Sequence, residues 1–126
     1  ELGGCPKLPV SLSNFLNNYS EFFFDFDSYE LNKVQKSNIF NLSKILDKYD
    51  YVKVNIDGHA SSEGESNYNL QLSENRSNTI KNTLIENGIK DSRLNIKAYG
   101  ESKPIYPDIP LSERKKNRRV KLSIEN

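Results

Sequence analysis

A single cysteine and a single histidine stand in 126 residues. Cys5 alone cannot build an internal disulfide framework or a cysteine-based zinc site, and His59 alone excludes a multi-histidine metal centre. No run approaches the ~20 apolar residues that cross a bilayer, and the first residues lack the charged and apolar regions of a secretory signal. An excess charge of one sign is missing too. The 18 Lys and Arg face 17 Asp and Glu for a formal net charge of +1, so no global field steers the chain to a polyanion. Any basic recognition must be local. Apolar residues make up only 35%, but six Phe and seven Tyr supply bulky core area, and the length suits one domain with its own core.

Residues 1–20 mix Gly, Pro, Ser and Asn with scattered apolar positions and read as a linker or lead-in, packing through Leu12, Phe15 and Leu16; the domain proper is expected over 21–126. Within the lead-in, Leu2-Gly3-Gly4-Cys5 matches the end of a bacterial lipoprotein signal, whose cysteine carries lipid after cleavage. A linker cysteine between Gly4 and Pro6 fits the same residues.

From Glu21 onward Phe22, Phe24 and Phe26 alternate with Phe23, Asp25 and Asp27, the period-two signature of a half-buried strand, with Asp27 at its outgoing end. Phe23 then points to the opposite sheet face, where it would cover the lead-in. Ile39, Leu42, Leu46 and Tyr49 recur at helical spacing and predict an amphipathic helix over 32–49. Val52, Val54 and Ile56 mark a second strand ended by Gly58 and a polar loop. Leu72, Ile80 and Leu84 mark a second helix, stopped by Asn87-Gly88 where glycine can take the left-handed conformation. Leu94, Ile96 and Ala98 give a third strand and Val120, Leu122 and Ile124 a fourth, separated by a connection carrying Pro104, Pro107 and Pro110. The order is βαβαββ. Helices inserted between successive strands can share one sheet face, so the expected fold is α+β, an α/β two-layer sandwich of about four strands.

One residue interrupts this pattern. Arg76 falls four residues after Leu72 and four before Ile80, on the line of side chains that faces the core. A buried guanidinium must meet a protein carboxylate such as Asp27 or Asp57, a backbone carbonyl, or a cleft that takes an anionic ligand. Arginine also grips a planar carboxylate through two parallel hydrogen bonds. Asn69, one turn before Leu72, shares the face of Arg76. The loop Gly58-His59-Ala60-Ser61-Ser62-Glu63-Gly64 joins strand end to helix start, where ligand sites collect in α/β layers, and Asp27 comes within reach of the same cleft, with a carboxylate for a ligand ammonium.

Three other features read as structural. His59 has no nucleophile arranged beside it and reads as a turn histidine rather than a general base. Most of Asp25, Asp27, Asp57 and Glu63 read as the solvated sides of strands rather than the paired carboxyls of a glycosidase. The basic run Arg114-Lys115-Lys116-Asn117-Arg118-Arg119 has no interleaved aromatics and abuts Glu113, so its arginines are expected in ion pairs rather than on nucleic acid.

Phe24-Asp25-Phe26-Asp27-Ser28-Tyr29-Glu30-Leu31, Gly58-His59-Ala60, Gly64, Tyr68-Asn69, Leu72-Ser73, Arg76, Gly88-Ile89, Arg93, Tyr99-Gly100-Glu101, Pro104 and Asn117-Arg118-Arg119-Val120 occur in this order over about 22–125. In these motifs the chain resembles the peptidoglycan-binding domain shared by the C-terminal region of outer membrane protein A, peptidoglycan-associated lipoproteins and the flagellar stator MotB proteins. The resemblance implies a non-catalytic periplasmic anchor without metal or organic cofactor. Such an anchor holds the diaminopimelate residue of the peptidoglycan stem peptide and ties an outer-membrane protein, lipid-anchored chain or other envelope partner to the wall. No nucleic acid and no membrane insertion by this segment are implied. By the same resemblance Arg76 takes a diaminopimelate carboxylate, Asn69 shapes the pocket and Leu72 packs at its wall. Ala60 and Ser61 meet the ligand's amine and backbone groups, and Asp27 supports the loop or touches the ligand.

The chain departs from the family pattern at Ser61, where a sequence like Gly-His-Thr-Asp carries an aspartate for the ligand's ammonium. Serine offers a hydrogen bond without charge. A charge-assisted contact of roughly 1.5 to 3 kcal/mol is lost, an expected weakening of ~10 to 100-fold unless Asp27 or Glu63 compensates. The alternative is a protein-interaction or structural module that keeps the scaffold with a degenerate pocket.

Overall fold

Val54 and Ile56 alternate with Asn55 and Asp57, and this period-two stretch folds as the central strand around which the rest is arranged. The computed structural model describes residues 9–25, 27–60, 65–102 and 117–125. In chain order the elements are α1 (Val10–Tyr19), β1 (Glu21–Phe23), α2 (Lys33–Lys48), β2 (Val54–Gly58), α3 (Ser66–Glu86), a 3-10 turn (Asp91–Arg93), β3 (Leu94–Ala98) and β4 (Arg119–Ile124). The sheet order is β1-β4-β2-β3. β2 and β3 run parallel with α3 as their crossover, and β4 lies antiparallel between β1 and β2. The fold is thus α+β with the expected βαβαββ order, preceded by a helix that the sequence reading did not contain.

The core lies between sheet and helices. Val54, Ile56, Leu94, Val120 and Leu122 from the sheet meet Ile39, Leu42, Leu46, Ile80 and Leu84 from α2 and α3. Each such side chain, fully buried, contributes about 1.5–3 kcal/mol. α3 packs directly on β2, β3 and β4, and α2 packs on α3 and α1.

Local chemistry sets the helix limits. Asn32 Oδ1 accepts the Gln35 N–H at 2.8 Å while Gln35 Oε1 accepts the Asn32 N–H at 3.0 Å, a reciprocal cap that starts α2. Gln35 Nε2 also donates to the Phe23 carbonyl at 2.7 Å, which ties that cap to β1. At the end of α3, Gly88 takes φ 100°, its N–H reaches the Ile85 carbonyl at 2.9 Å, and the Ile89 N–H reaches Leu84 at 3.1 Å. This is a Schellman ending, closed by the buried pair Ile89 and Leu84.

The segment before Glu21 packs through Leu12, Phe15 and Leu16 as expected, and does so as helix α1, with Leu12 and Phe15 in the same cluster as Phe22 and Leu16 at its margin. Two expectations need correction. The lead-in therefore packs on the helix side of the sheet, and Phe23, on the other side, stays exposed. The first strand is also shorter than its alternation suggests. β1 ends at Phe23, although the Phe24 N–H still reaches the Arg118 carbonyl at 2.8 Å. Phe26, Cys5 with its Gly-Gly lead, the proline connection and Arg114–Lys116 lie outside the described residues.

Candidate functional site

Strand direction gathers the site. In the observed register Phe23 pairs with Arg119, Gly58 with Val120, and Gly58 with Ala98. The outgoing ends of β1, β2 and β3 and the incoming end of β4 therefore share one rim. The loops that leave it carry Asp25–Ser28, His59–Ala60 and Tyr99–Glu101.

Arg76 is the hub between two of these loops. It is 0% exposed, on the buried face of α3 with Leu72 and Ile80. Its Nε donates to the Ser28 carbonyl at 2.8 Å, one terminal nitrogen to the His59 carbonyl at 3.1 Å and the other to the Asp25 carbonyl at 3.2 Å. The guanidinium carbon lies 5.4 Å from the centre of the Phe24 ring. Backbone carbonyls are thus among the partners the sequence left open. Their dipoles solvate the cation, and in turn the cation polarises their peptide groups.

The turn that presents two of those carbonyls depends on Asp27. The Ser28 N–H closes on the Asp25 carbonyl at 3.1 Å, and Asp27 sits at φ 56°, in the left-handed region where Asp, Asn and Gly are least penalised. Its side chain is exposed.

On the other flank, the Ala60 N–H donates to the Gly100 carbonyl at 2.8 Å and the Tyr99 N–H to the Gly58 carbonyl at 3.0 Å. Gly100 adopts φ 55°, and its N–H reaches Ser73 Oγ on α3 at 2.9 Å. Asn69, buried, donates from Nδ2 to Glu101 Oε1 at 3.0 Å, and Ser66 Oγ donates to the same oxygen at 3.3 Å. Ala60 and Leu72 are buried beside these residues in sequence and fold. The His59 N–H donates to the Arg119 carbonyl at 2.8 Å and its ring stacks on Tyr99 at 5.2 Å, in keeping with a structural turn histidine. An open depression of about 330 Å³ lies between Ser66, Asn67 and Leu70 of α3 and Ala98–Ser102. Arg76 does not line it.

Of the site residues expected from sequence, Arg76, Ala60, Asn69, Leu72 and Asp27 thus cluster around one rim, whereas Ser61 and Glu63 lie outside the described residues. Glu101 was not singled out for a role. Its signal was faint, a carboxylate after a left-handed glycine, and its partners stand 32 and 35 residues earlier. The last arginines hold local structure: Arg118 Nε reaches the Phe24 carbonyl at 3.1 Å, and Arg119 Nε lies 3.5 Å from the Glu21 carboxylate. Among the described residues no helix is long and apolar enough to cross a membrane, and no group of three His, Cys, Asp or Glu gathers to hold a metal ion.

Comparison with known proteins agrees with this arrangement. The pattern of the OmpA family matches residues 23–118, and the chain belongs to that family. It is 30% identical over 126 residues to outer membrane porin F of Pseudomonas aeruginosa, an alignment covering 99% of this chain and 35% of the porin. Over 97 residues it is 29% identical to the peptidoglycan-associated lipoprotein of Buchnera aphidicola, covering 77% of this chain and 56% of that protein. The chain therefore spans about a third of the porin's length and little more than half of the lipoprotein's. The crystal structure of the C-terminal domain of Helicobacter pylori MotB superposes with a TM-score of 0.77 at 27% identity, covering 84% of each chain. The peptidoglycan-associated lipoprotein of Burkholderia pseudomallei gives a TM-score of 0.81 at 24% identity over 84% of this chain and 90% of that one, a likeness of fold.

Proposed function

We propose that this domain binds peptidoglycan non-covalently at the rim around Arg76 and, catalysing nothing, anchors an outer-membrane protein or envelope complex to the wall from the periplasm. The guest is the zwitterionic end of a diaminopimelate residue in the stem peptide. Arg76 supplies the positive charge for its carboxylate, Ala60 and Ser61 meet its amine and backbone groups, Asn69 shapes the pocket, Leu72 packs at its wall, and Asp27 holds the turn that carries two of the three Arg76 acceptors. The observation that carries this reading is a fully buried guanidinium held by carbonyls of two loops in a member of the OmpA family. A cation fixed in low-dielectric surroundings acts on a carboxylate at the rim more strongly than a solvated side chain would.

Sedimentation with purified sacculi tests the reading. Wild type is expected to pellet with the wall material without releasing soluble fragments, and Arg76→Ala, shown to be folded by circular dichroism, to stay in the supernatant. Folded wild type that never pellets would favour the second reading, an interaction module of an envelope complex with a degenerate pocket, for which Ser61 is the supporting feature.

A further inference from the structure

We infer that Glu101 is a positioning residue that fixes the Asn69 amide in one orientation, so that Asn69 meets the ligand as a hydrogen-bond acceptor for its ammonium. The inference rests on the binding mode proposed above and adds to it a residue from a different part of the chain. An ionised carboxylate only accepts hydrogen bonds, so the Asn69 atom 3.0 Å from Glu101 Oε1 has to be the amide nitrogen. Flipping the amide would set two oxygens against each other. With Nδ2 committed to Glu101, Oδ1 is the end turned away from it, on the opposite side of the Cβ–Cγ bond within the amide plane.

The rest of the junction keeps this orientation rigid. Glu101 follows Gly100, whose left-handed φ of 55° and bonds to Ser73 Oγ and the Ala60 N–H hold the turn against both α3 and the loop after β2. Ser66 Oγ braces the same carboxylate oxygen from the first turn of α3. The N-cap of α3, Glu65, makes no side-chain capping bond, and Glu101 adds a second carboxylate near the positive end of the helix. An oriented amide oxygen gives the ligand's ammonium an acceptor without a formal charge.

The test compares two soluble stem peptides, one with free meso-diaminopimelate and one acetylated on its side-chain amine, titrated by calorimetry into wild type and Glu101→Gln. Glutamine keeps the size of the side chain but can turn its own NH2 toward Asn69 and let that amide flip. Wild type is expected to prefer the free amine by about tenfold or more, and Glu101→Gln to lose most of that preference while its affinity for the acetylated peptide changes little. Undiminished preference in Glu101→Gln overturns the inference, because a merely structural role would weaken both peptides alike. If wild type binds neither peptide, the proposed function fails separately. The positioning itself is then decided by the NMR signals of the Asn69 side-chain NH2: a shift as Glu101 is protonated in wild type, absent in Glu101→Gln, supports it, and no response overturns it.

Discussion

Gly58 and Ser73 meet backbone to backbone: a β-carbon on Gly58 would collide with the Ser73 carbonyl oxygen and with Ser77 Oγ. Glycine is needed here for closeness, since the contact seats α3 on β2 just where Arg76 must reach the His59 carbonyl. Gly58→Ala is expected to push the helix away and cost about 1–3 kcal/mol, as overpacking of a filled interior does. A urea midpoint that falls with unchanged slope would register this, and a midpoint equal to wild type would contradict the contact.

Arg93 offers a control for Arg76. It too binds three carbonyls, those of Val52 at 3.0 Å, Leu46 at 2.9 Å and Tyr49 at 2.8 Å, but these lie at the C-terminal end of α2 and the turn beyond, at the sheet end away from the rim. The cation both satisfies terminal carbonyls and opposes the negative end of the helix. Arg93→Ala is expected to lose about 2–4 kcal/mol of stability. The fraction of folded protein that pellets with sacculi should stay at the wild-type level. A selective loss of pelleting would place Arg93 in recognition instead.

Asp27 separates conformation from charge. If its work is to hold a left-handed turn, Asp27→Asn and Asp27→Gly keep stability and wall binding, while Asp27→Val, whose branched side chain resists positive φ, loses about 1–2 kcal/mol. Thermal melts and pelleting on the three variants read this directly. Wall binding lost in Asp27→Asn at unchanged stability would show that the carboxylate itself touches the guest.

Ser61→Asp restores the acid of the family pattern. Affinity for a diaminopimelate stem peptide is expected to rise ~10 to 100-fold, the worth of a charge-assisted contact to an ammonium. An unchanged dissociation constant in calorimetry would mean that the amine is recognised elsewhere.

Sequence periodicity went far because it reports burial. The helix read over 32–49 spans Lys33–Lys48, and the β2, β3 and β4 alternations appear close to where they were placed. Arg76 stood out because a charge on the Leu72–Ile80 line contradicts its neighbours, and its burial follows from that line. Its acceptors had no signature, since any residue supplies a carbonyl and only the fold brings Asp25, Ser28 and His59 to one point. α1 was missed for a different reason. Its Ser and Asn content is poor in helix formers, and the helix is kept by packing Leu12 and Phe15 on the core rather than by propensity. The Asn69–Glu101 pair, 32 residues apart, likewise exists only once the parallel β2–β3 crossover has folded α3 back over the sheet.

The register of β4 between β1 and β2 has a mechanical side. β1 begins and β4 ends at the edge of the sheet remote from the rim, with Glu21 opposite Lys121 and Ile124 opposite Val54. A pull applied between the rim and the Ile124 end of β4 would run along the strands and across their hydrogen bonds. The ladders are then loaded in shear, many bonds sharing the pull at once, instead of being peeled open one after another.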